Sequence, residues 1–196
     1  MVRAVVRLLC TVVLALPSGP LQAADWSVEQ LLHGFREVKS VKARFVERKY
    51  TALLTAPIEQ SGTLEYEAPA RLVRNVIKPA PEKMTLDNDR VTLETRQGRQ
   101  DRRRTLSLSD YPALAALVEC IRGTLAGDAA ALNRYYKLEL EGSESNWRLM
   151  LKPSDPAIQA TVEQVRISGS AAWINSIEIL QPGGDRSVMQ VFREGQ

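Results

Sequence analysis

His33 is the single histidine of this 196-residue chain, and its two cysteines are Cys10 and Cys120. Any Ser-His-Asp triad would have to run through His33. That residue lies between Leu32 and Gly34 in a stretch with helical apolar spacing, and no G-x-S-x-G or other nucleophile motif accompanies it. The bland reading, a solvated or helix-packed histidine, is the better one. The usual zinc constellations need more ligands than one histidine and a cysteine supply. Walker A and G-x-G-x-x-G patterns are also missing. The 23 acidic residues always offer some carboxylate pair, but Asp87-Asn88-Asp89 carries the composition of a turn. These residues describe a chain that is not an enzyme, holds no metal and needs no cofactor.

Two further residue groups suit binding. The run Arg99 to Arg104 (RQDRRR) has the charge to meet phosphate or an anionic lipid head group. A solvated hairpin arm explains it more simply, and it lacks the interleaved aromatics of a nucleic-acid site. Trp26, Trp147 and Trp173 suit plain core better than the lining of a cavity.

The N-terminus is an export leader by its layout. Arg3 and Arg7 precede the apolar run Leu8 to Leu16, and Pro17-Ser18-Gly19-Pro20 leads to the small residues Ala23 and Ala24. The apolar run is too short to span a bilayer, which takes about 20 residues. Cleavage after Ala23 is expected, with Ala24 as the alternative, leaving residues 24–196 as one domain in the periplasm. Cys10 would leave with residues 1–23. The remaining Cys120 has no intrachain partner, so it is best buried and stability must come from packing. Removing Arg3 and Arg7 reduces 26 basic side chains to 24, against 23 acidic ones. A nearly neutral chain gives no support to a nucleic-acid partner.

The elements follow from periodicity. Ser27-Val28-Glu29-Gln30 is a capping-box pattern, and Val28, Leu31, Leu32, Phe35 and Val38 follow at helical spacing, predicting a helix over 27–38. The period then changes to two. Val41, Ala43 and Phe45 open a strand expected to reach Leu54. Strands follow on both sides of Ala68-Pro69, one with Leu64 and Tyr66, the next from Leu72 to Ile77. Met84 and Leu86 precede the Asp87-Asn88-Asp89 turn, with Val91 and Leu93 after it. Gln97-Gly98-Arg99 turns again into a strand from Thr105 to Leu108. At Asp110 the pattern becomes helical, with Asp110 or its neighbour able to cap, Pro112 in the first turn and Leu114, Leu117, Val118, Ile121 and Leu125 on one face. Gly127 stops this helix and Asp128 caps a short second one, to about Arg134. Five strand signatures end the chain: Tyr136-Leu138-Leu140, Trp147-Leu149-Leu151, Val165-Ile167, Trp173-Ile177-Ile179 and Val188-Phe192.

Strand spacings of about 8–14 residues suit hairpins rather than crossover units. The predicted class is mainly β with helices (α+β): a large antiparallel sheet that curls, with the central helical pair over its open side. Periodicity alone does not choose between an ordinary core helix and a lid for residues 114–125.

LLHGFREVKSVKARFVERKY, a helix ending in a turn and then the alternating Val41-Lys-Ala43-Arg-Phe45, resembles the opening of LolA, the periplasmic carrier of outer-membrane lipoproteins, and its relatives. SGTLEYEAPARL is similar to that family's G-x-L-x-x-x-x-P segment. Lys78-Pro79, with residues 82–90 and the strand beyond, resembles its next hairpin. The resemblance implies an incomplete antiparallel barrel, a half-barrel, with a helical lid at 112–126 and 128–134. It implies a cavity for the acyl chains of lipoproteins or other lipids, walled by Phe45, Leu64, Tyr66, Leu72, Val76, Met84, Leu86, Val91 and Leu93. Leu114, Leu117, Val118 and Ile121 would close it. An inner-membrane transporter would load this monomeric carrier and an outer-membrane acceptor would empty it. The family's arginine before the segment's proline is Ala68 here, and an inward aromatic of the next strand is Arg74. With Arg71, Arg74 is a candidate head-group contact, and the departures suggest another lipid or acylated cargo. The alternative is a sensor or accessory module of the same fold, acting through an envelope protein.

Overall fold

The computed structural model describes residues 26–97 and 100–194. The expected leader, residues 1–23, lies outside them, as do Gly98 and Arg99 of the expected turn. The first helix, α1 (Val28–Arg36), starts where the capping pattern places it. Ser27 Oγ accepts from the Gln30 amide at 3.2 Å and Gln30 Oε1 accepts from the Ser27 amide at 2.9 Å. Its buried residues are Leu31, Leu32 and Phe35, one stripe of the helix.

The strands are β1 (Ser40–Tyr50), β2 (Ile58–Glu67), β3 (Arg71–Lys78), β4 (Glu82–Asp87), β5 (Arg90–Gln97) and β6 (Gln100–Ser107), then β7 (Tyr136–Ser143), β8 (Asn146–Pro153), β9 (Gln164–Ser170), β10 (Trp173–Leu180) and β11 (Arg186–Arg193). A 3-10 turn (Leu108–Asp110), α2 (Pro112–Ala126) and α3 (Ala129–Tyr135) separate the two runs, and α4 (Pro156–Gln159) joins β8 to β9. All eleven strands form one antiparallel sheet in the order β6-β5-β4-β3-β2-β1-β11-β10-β9-β8-β7. The chain walks outward from β1 to one edge. It crosses to the other edge through the helices, then walks back until β11 pairs with β1. The sheet stays open, with β6 and β7 at its edges. No helix of the described residues is long and apolar enough to cross a membrane.

The helices fill the concave side. Leu31, Leu32 and Phe35 of α1, Ala116 and Cys120 of α2 and Leu132 of α3 share a core with Trp147, Leu149, Leu151, Val165 and Ile167 of the sheet. A second, smaller cluster joins Val118 of α2 and Leu108 to Leu86 and Val91. Gly127, in the left-handed region at φ +65°, ends α2 against α1: a Cβ there would lie 2.2 Å from the Leu32 carbonyl oxygen. Arg36 Nε donates to the Gly127 carbonyl at 3.0 Å, tying the two helices at that point.

Three expectations need correction. β1 stops at Tyr50, not Leu54. The Leu54 amide turns back to the Thr51 carbonyl and the Ala52 amide is taken by Asp185 Oδ1, so no ladder continues and Leu53 stands 92% exposed. Of Asp110 and its neighbour, the neighbour takes the cap position of α2: Asp110 ends the 3-10 turn, and Tyr111 stands at the cap without a side-chain bond. The strand expected from Thr105 to Leu108 starts earlier, at Gln100, and Leu108 leaves it to open the 3-10 turn. The last correction concerns β10, where a bulge between Ile174 and Ser176 shifts the alternation. Ile174 and Ile177 therefore face inward, and Trp173 lies outside with the Arg193 guanidinium 4.5 Å above its ring.

Candidate functional site

Register decides which side chains share the concave face. β1 and β2 pair Val41 with Tyr66, Ala43 with Leu64 and Phe45 with Gly62. Tyr66 then stands opposite Leu72, Leu64 opposite Arg74 and Gly62 opposite Val76. Leu86 and Met84 follow on β4, then Val91 and Leu93 on β5. All nine predicted wall residues, and Arg74, thus occupy one face, because cross-strand partners point the same way.

Between this face and α2 is a cavity of about 130 Å³. Leu64, Tyr66, Leu72 and Met84 line it from the wall, and Ile121 from the helix, together with Arg74. Residues of β4, β3, β2, β1, β11 and β10 all reach it. Laid flat, six adjacent strands would spread over about 24 Å. So small a space touches all of them only because the sheet curls round it.

The other predicted residues lie elsewhere on the same face. Leu86 and Val91 pack with Val118, and Leu93 is half-buried beside them on β5. Val76 and Phe45 are buried, Phe45 beneath the Arg74 guanidinium at 4.9 Å. Leu114 and Leu117 line a second space, an open cleft of about 850 Å³ between the start of α2, the end of β1 and the β10–β11 turn. Ile58 and Tyr111, both substantially exposed, also line it. The two spaces follow each other along α2, since Leu117 and Ile121 are one turn apart on the helix. A groove of about 700 Å³ on the outer face, along Lys83, Thr85, Asp87 and Thr92, is lined by polar and charged residues.

A polar cluster divides the cavity from the cleft. Glu47 borders the cleft and Arg74 the cavity. Arg74 Nη2 lies 2.5 Å from Glu47 Oε2 and 3.0 Å from Gln60 Oε1, and Ser187 Oγ donates to the other Glu47 oxygen at 2.5 Å. Arg74 does face inward, as its strand position implies, but its charge is already matched. Arg71 is a correction: it is exposed, alternates to the opposite face and pairs with Glu67 at 3.3 Å, so it reaches neither space.

Sequence reasoning missed several lining residues. Leu125 continues the Leu117–Ile121 stripe by one more turn, and that spacing was available. Ile174 was hidden by the bulge. Met189 and Val191 reach the cavity because β11 pairs with β1, a contact no local pattern announces. The tryptophans line none of this space; Trp147 is core, with its Nε1 donating to the Ala171 carbonyl at 2.8 Å.

Cys120 is wholly buried on the other side of α2, its thiol donating to the Leu117 carbonyl at 3.0 Å. Burial pushes its pKa up to about 12. A maleimide or disulfide reagent at pH 8 is expected to label it only after denaturant is added, because the thiolate is the nucleophile and water does not reach it. Rapid labelling of the folded protein would show that α2 leaves the sheet readily.

A family model described as outer membrane lipoprotein carrier protein LolA-like matches residues 19–190. Among curated proteins nothing matches. Among solved structures, a LolA superfamily protein from Nitrosomonas europaea is 13% identical with a TM-score of 0.44, over 84% of this chain and 90% of that one. The complex of Pseudomonas aeruginosa MucA and MucB gives 14% identity and a TM-score of 0.47, over 85% of this chain and 54% of that chain, about half its length. A putative outer membrane lipoprotein-sorting protein domain from Vibrio parahaemolyticus gives 10% identity and a TM-score of 0.32, over 86% and 92%.

Proposed function

The chain belongs to the LolA-like family of outer membrane lipoprotein carrier proteins, and from that premise we propose that it is a periplasmic carrier, not an enzyme, holding acyl chains between α2 and the curved sheet. The observation that carries this reading is the succession of an apolar cavity and a larger cleft beneath one helix. Each methylene buried there contributes about 0.8 kcal/mol, so even a partly enclosed chain is held firmly.

The volumes say how. A cavity of 130 Å³ is close to the roughly 150 Å³ that accommodates benzene, so it takes one end of a chain and no more. The cleft, at about 850 Å³, is within the range of ordinary ligand pockets. A long chain occupies both, which requires the wall and α2 to separate around the Glu47–Arg74 cluster. Entry is from the cleft, whose rim carries the exposed Ile58 and Tyr111. Direction comes from differential affinity: a transporter of the inner membrane loads the open form, and an outer-membrane acceptor binds the cargo better than the closing carrier does.

The test is mass spectrometry of the protein after gentle extraction from the bacterial envelope. The expected result is an acyl-bearing lipid or lipopeptide at near-stoichiometric amount. A lipid-free protein that also fails to bind a fluorescent fatty-acid probe would sink the carrier reading. In that case, capture of an envelope protein at defined stoichiometry would turn the reading to an accessory module.

A further inference from the structure

Six large hydrophobic side chains are exposed among the described residues, and five of them stand at one end of the molecule: Leu53, Leu54, Ile58, Ile77 and Tyr111. The exception, Phe192, pairs with Arg44 in the first half of β1, away from that end. Thr51, Ile58 and Tyr111 line the cleft, so the loop at 51–57 and the start of α2 form its rim. Leu53, at 92% exposure, is the tip of that loop. Exposed leucines scattered singly are ordinary, but a cluster at the mouth of a binding space marks an interaction surface.

Charge surrounds this patch and is nearly absent from it. The β1–β2 loop, residues 51–57 (TALLTAP), has no ionisable group, and neither has Pro79-Ala80-Pro81 in the next hairpin. The β10–β11 turn on the other side has one, Asp185, whose Oδ1 accepts from the Ala52 amide at 3.0 Å. That bond, and the Leu54 amide donating to the Thr51 carbonyl at 3.1 Å, fix the loop that carries the two leucines. Lys49, Lys78 and Arg186, all exposed, flank the loops at the strand ends. Arg186 stacks on Tyr50 at 4.6 Å, and Lys49 has only the Glu47 carboxylate, at 3.9 Å. The carboxylates beside them are matched: Glu59 meets Arg48 at 2.9 Å, and Glu47 and Glu82 meet Arg74 at 2.5 and 3.7 Å. Asp110 stands on the helix side of the cleft.

We propose that this end docks on an anionic phospholipid surface, with Leu53 and Leu54 inserted at the acyl boundary and Lys49, Lys78 and Arg186 against the phosphates. An apolar tip flanked by cations binds a bilayer interface without spanning it, through buried apolar area and attraction to anionic lipid. A partner protein would ask for more directed bonding, about ten hydrogen bonds in a typical interface. The three loops offer it only the side chains of Thr51, Thr55, Gln181 and Asp185, and Asp185 is already engaged. The inference rests on the carrier reading for its purpose: docked this way, the cleft opens on the layer where acyl chains lie.

The experiment floats the wild-type protein, Leu53→Asp, Lys78→Glu and Phe192→Asp with vesicles of phosphatidylcholine alone and with vesicles that also contain phosphatidylglycerol. The wild type is expected to bind the mixed vesicles, and less so as salt is raised. Leu53→Asp should weaken that binding about tenfold or more, since a leucine leaves the acyl boundary and a carboxylate takes its place. Lys78→Glu should weaken it about fivefold or more on the mixed vesicles alone. Phe192→Asp should leave it unchanged. All three positions are exposed, so melting temperatures close to that of the wild type are expected and will show that no variant has lost its fold. A wild-type protein that stays off both kinds of vesicle, or equal losses from Phe192→Asp and Leu53→Asp, overturns the inference. Full vesicle binding by Leu53→Asp, with loss of an envelope protein it otherwise captures, overturns it too and makes the loop a protein contact. The two readings fail separately. A chain that ignores vesicles but binds a fluorescent fatty acid loses only the docking surface, and one that floats with vesicles but holds no fatty acid loses only the carrier role.

Discussion

Arg74→Ala is expected to destabilise the fold by about 3 kcal/mol, and the paired replacement Glu47→Leu with Arg74→Leu to recover most or all of it. The Arg74 side chain is 15% exposed and that of Glu47 8%, so the pair lies in a region water barely reaches. Removing one member of a buried pair leaves the other charge uncompensated, which costs about 3–5 kcal/mol, whereas replacing both with apolar groups is often neutral or better. The low end applies here because Glu47 keeps the Ser187 hydroxyl and has Lys49 at 3.9 Å. Glu47→Ala should cost less than Arg74→Ala, since the stranded guanidinium keeps Gln60 at 3.0 Å and Glu82 at 3.7 Å. Urea denaturation of the wild type, Glu47→Leu, Arg74→Leu and the double variant closes the cycle. Additive costs would mean that the pair is not coupled. The same double variant bears on function: it joins cavity and cleft into one apolar channel. A fluorescent fatty acid is expected to bind it more tightly than the wild type, at least tenfold for a chain long enough to use both spaces.

How far such a site is legible in sequence depends on the range of the contacts that make it. Leu64 and Tyr66 alternate with Thr63, Glu65 and Glu67, so their side of the sheet followed from period two alone. The capping box at Ser27, the glycine stop at Gly127 and the Asp128 cap are equally local, and each stands where its residues predict. The errors cluster where a distant group overrides local composition. Leu53 and Leu54 have the residue types of a strand, but Asp185, over a hundred residues on, draws the Ala52 amide out of the ladder. The bulge in β10 exchanges Trp173 for Ile174, and no alternation rule counts across an extra residue. The Glu47 partner of Arg74 was equally out of reach, because Glu47 is 27 residues away and becomes a neighbour only when three strands pair. The small cavity is the extreme case, since it exists only once β10 and β4 have been brought round to the same helix.

Trp147→Ala is expected to cost about 4 kcal/mol, in the range for removing a large aromatic from a core, and to do so without changing how acyl probes load. Trp147 meets Phe35 of α1 edge-on, with centroids 5.9 Å apart, and its ring lies so close to Gly169 that a Cβ there would be 2.4 Å from Cζ2. That core fixes α1, α2 and α3 to β7–β10 through sixteen buried residues, while four join α2 and the preceding turn to β4 and β5. The difference identifies the seam that opens. The helix belongs to the large body; the arm formed by β3–β6 continues the sheet from β2 and is held against the helix mainly through Val118, Leu108, Leu86 and Val91. Val118→Ala removes about two methyl groups from this seam, worth about 1–2 kcal/mol, roughly a third of the loss at Trp147. It should nevertheless speed uptake of a fluorescent fatty acid several-fold, because opening there exposes little besides those side chains. Stopped-flow loading and urea denaturation on both variants separate the two effects. If Trp147→Ala speeds loading as much as Val118→Ala does, α2 lifts off the main core and the β3–β6 arm is not the part that moves.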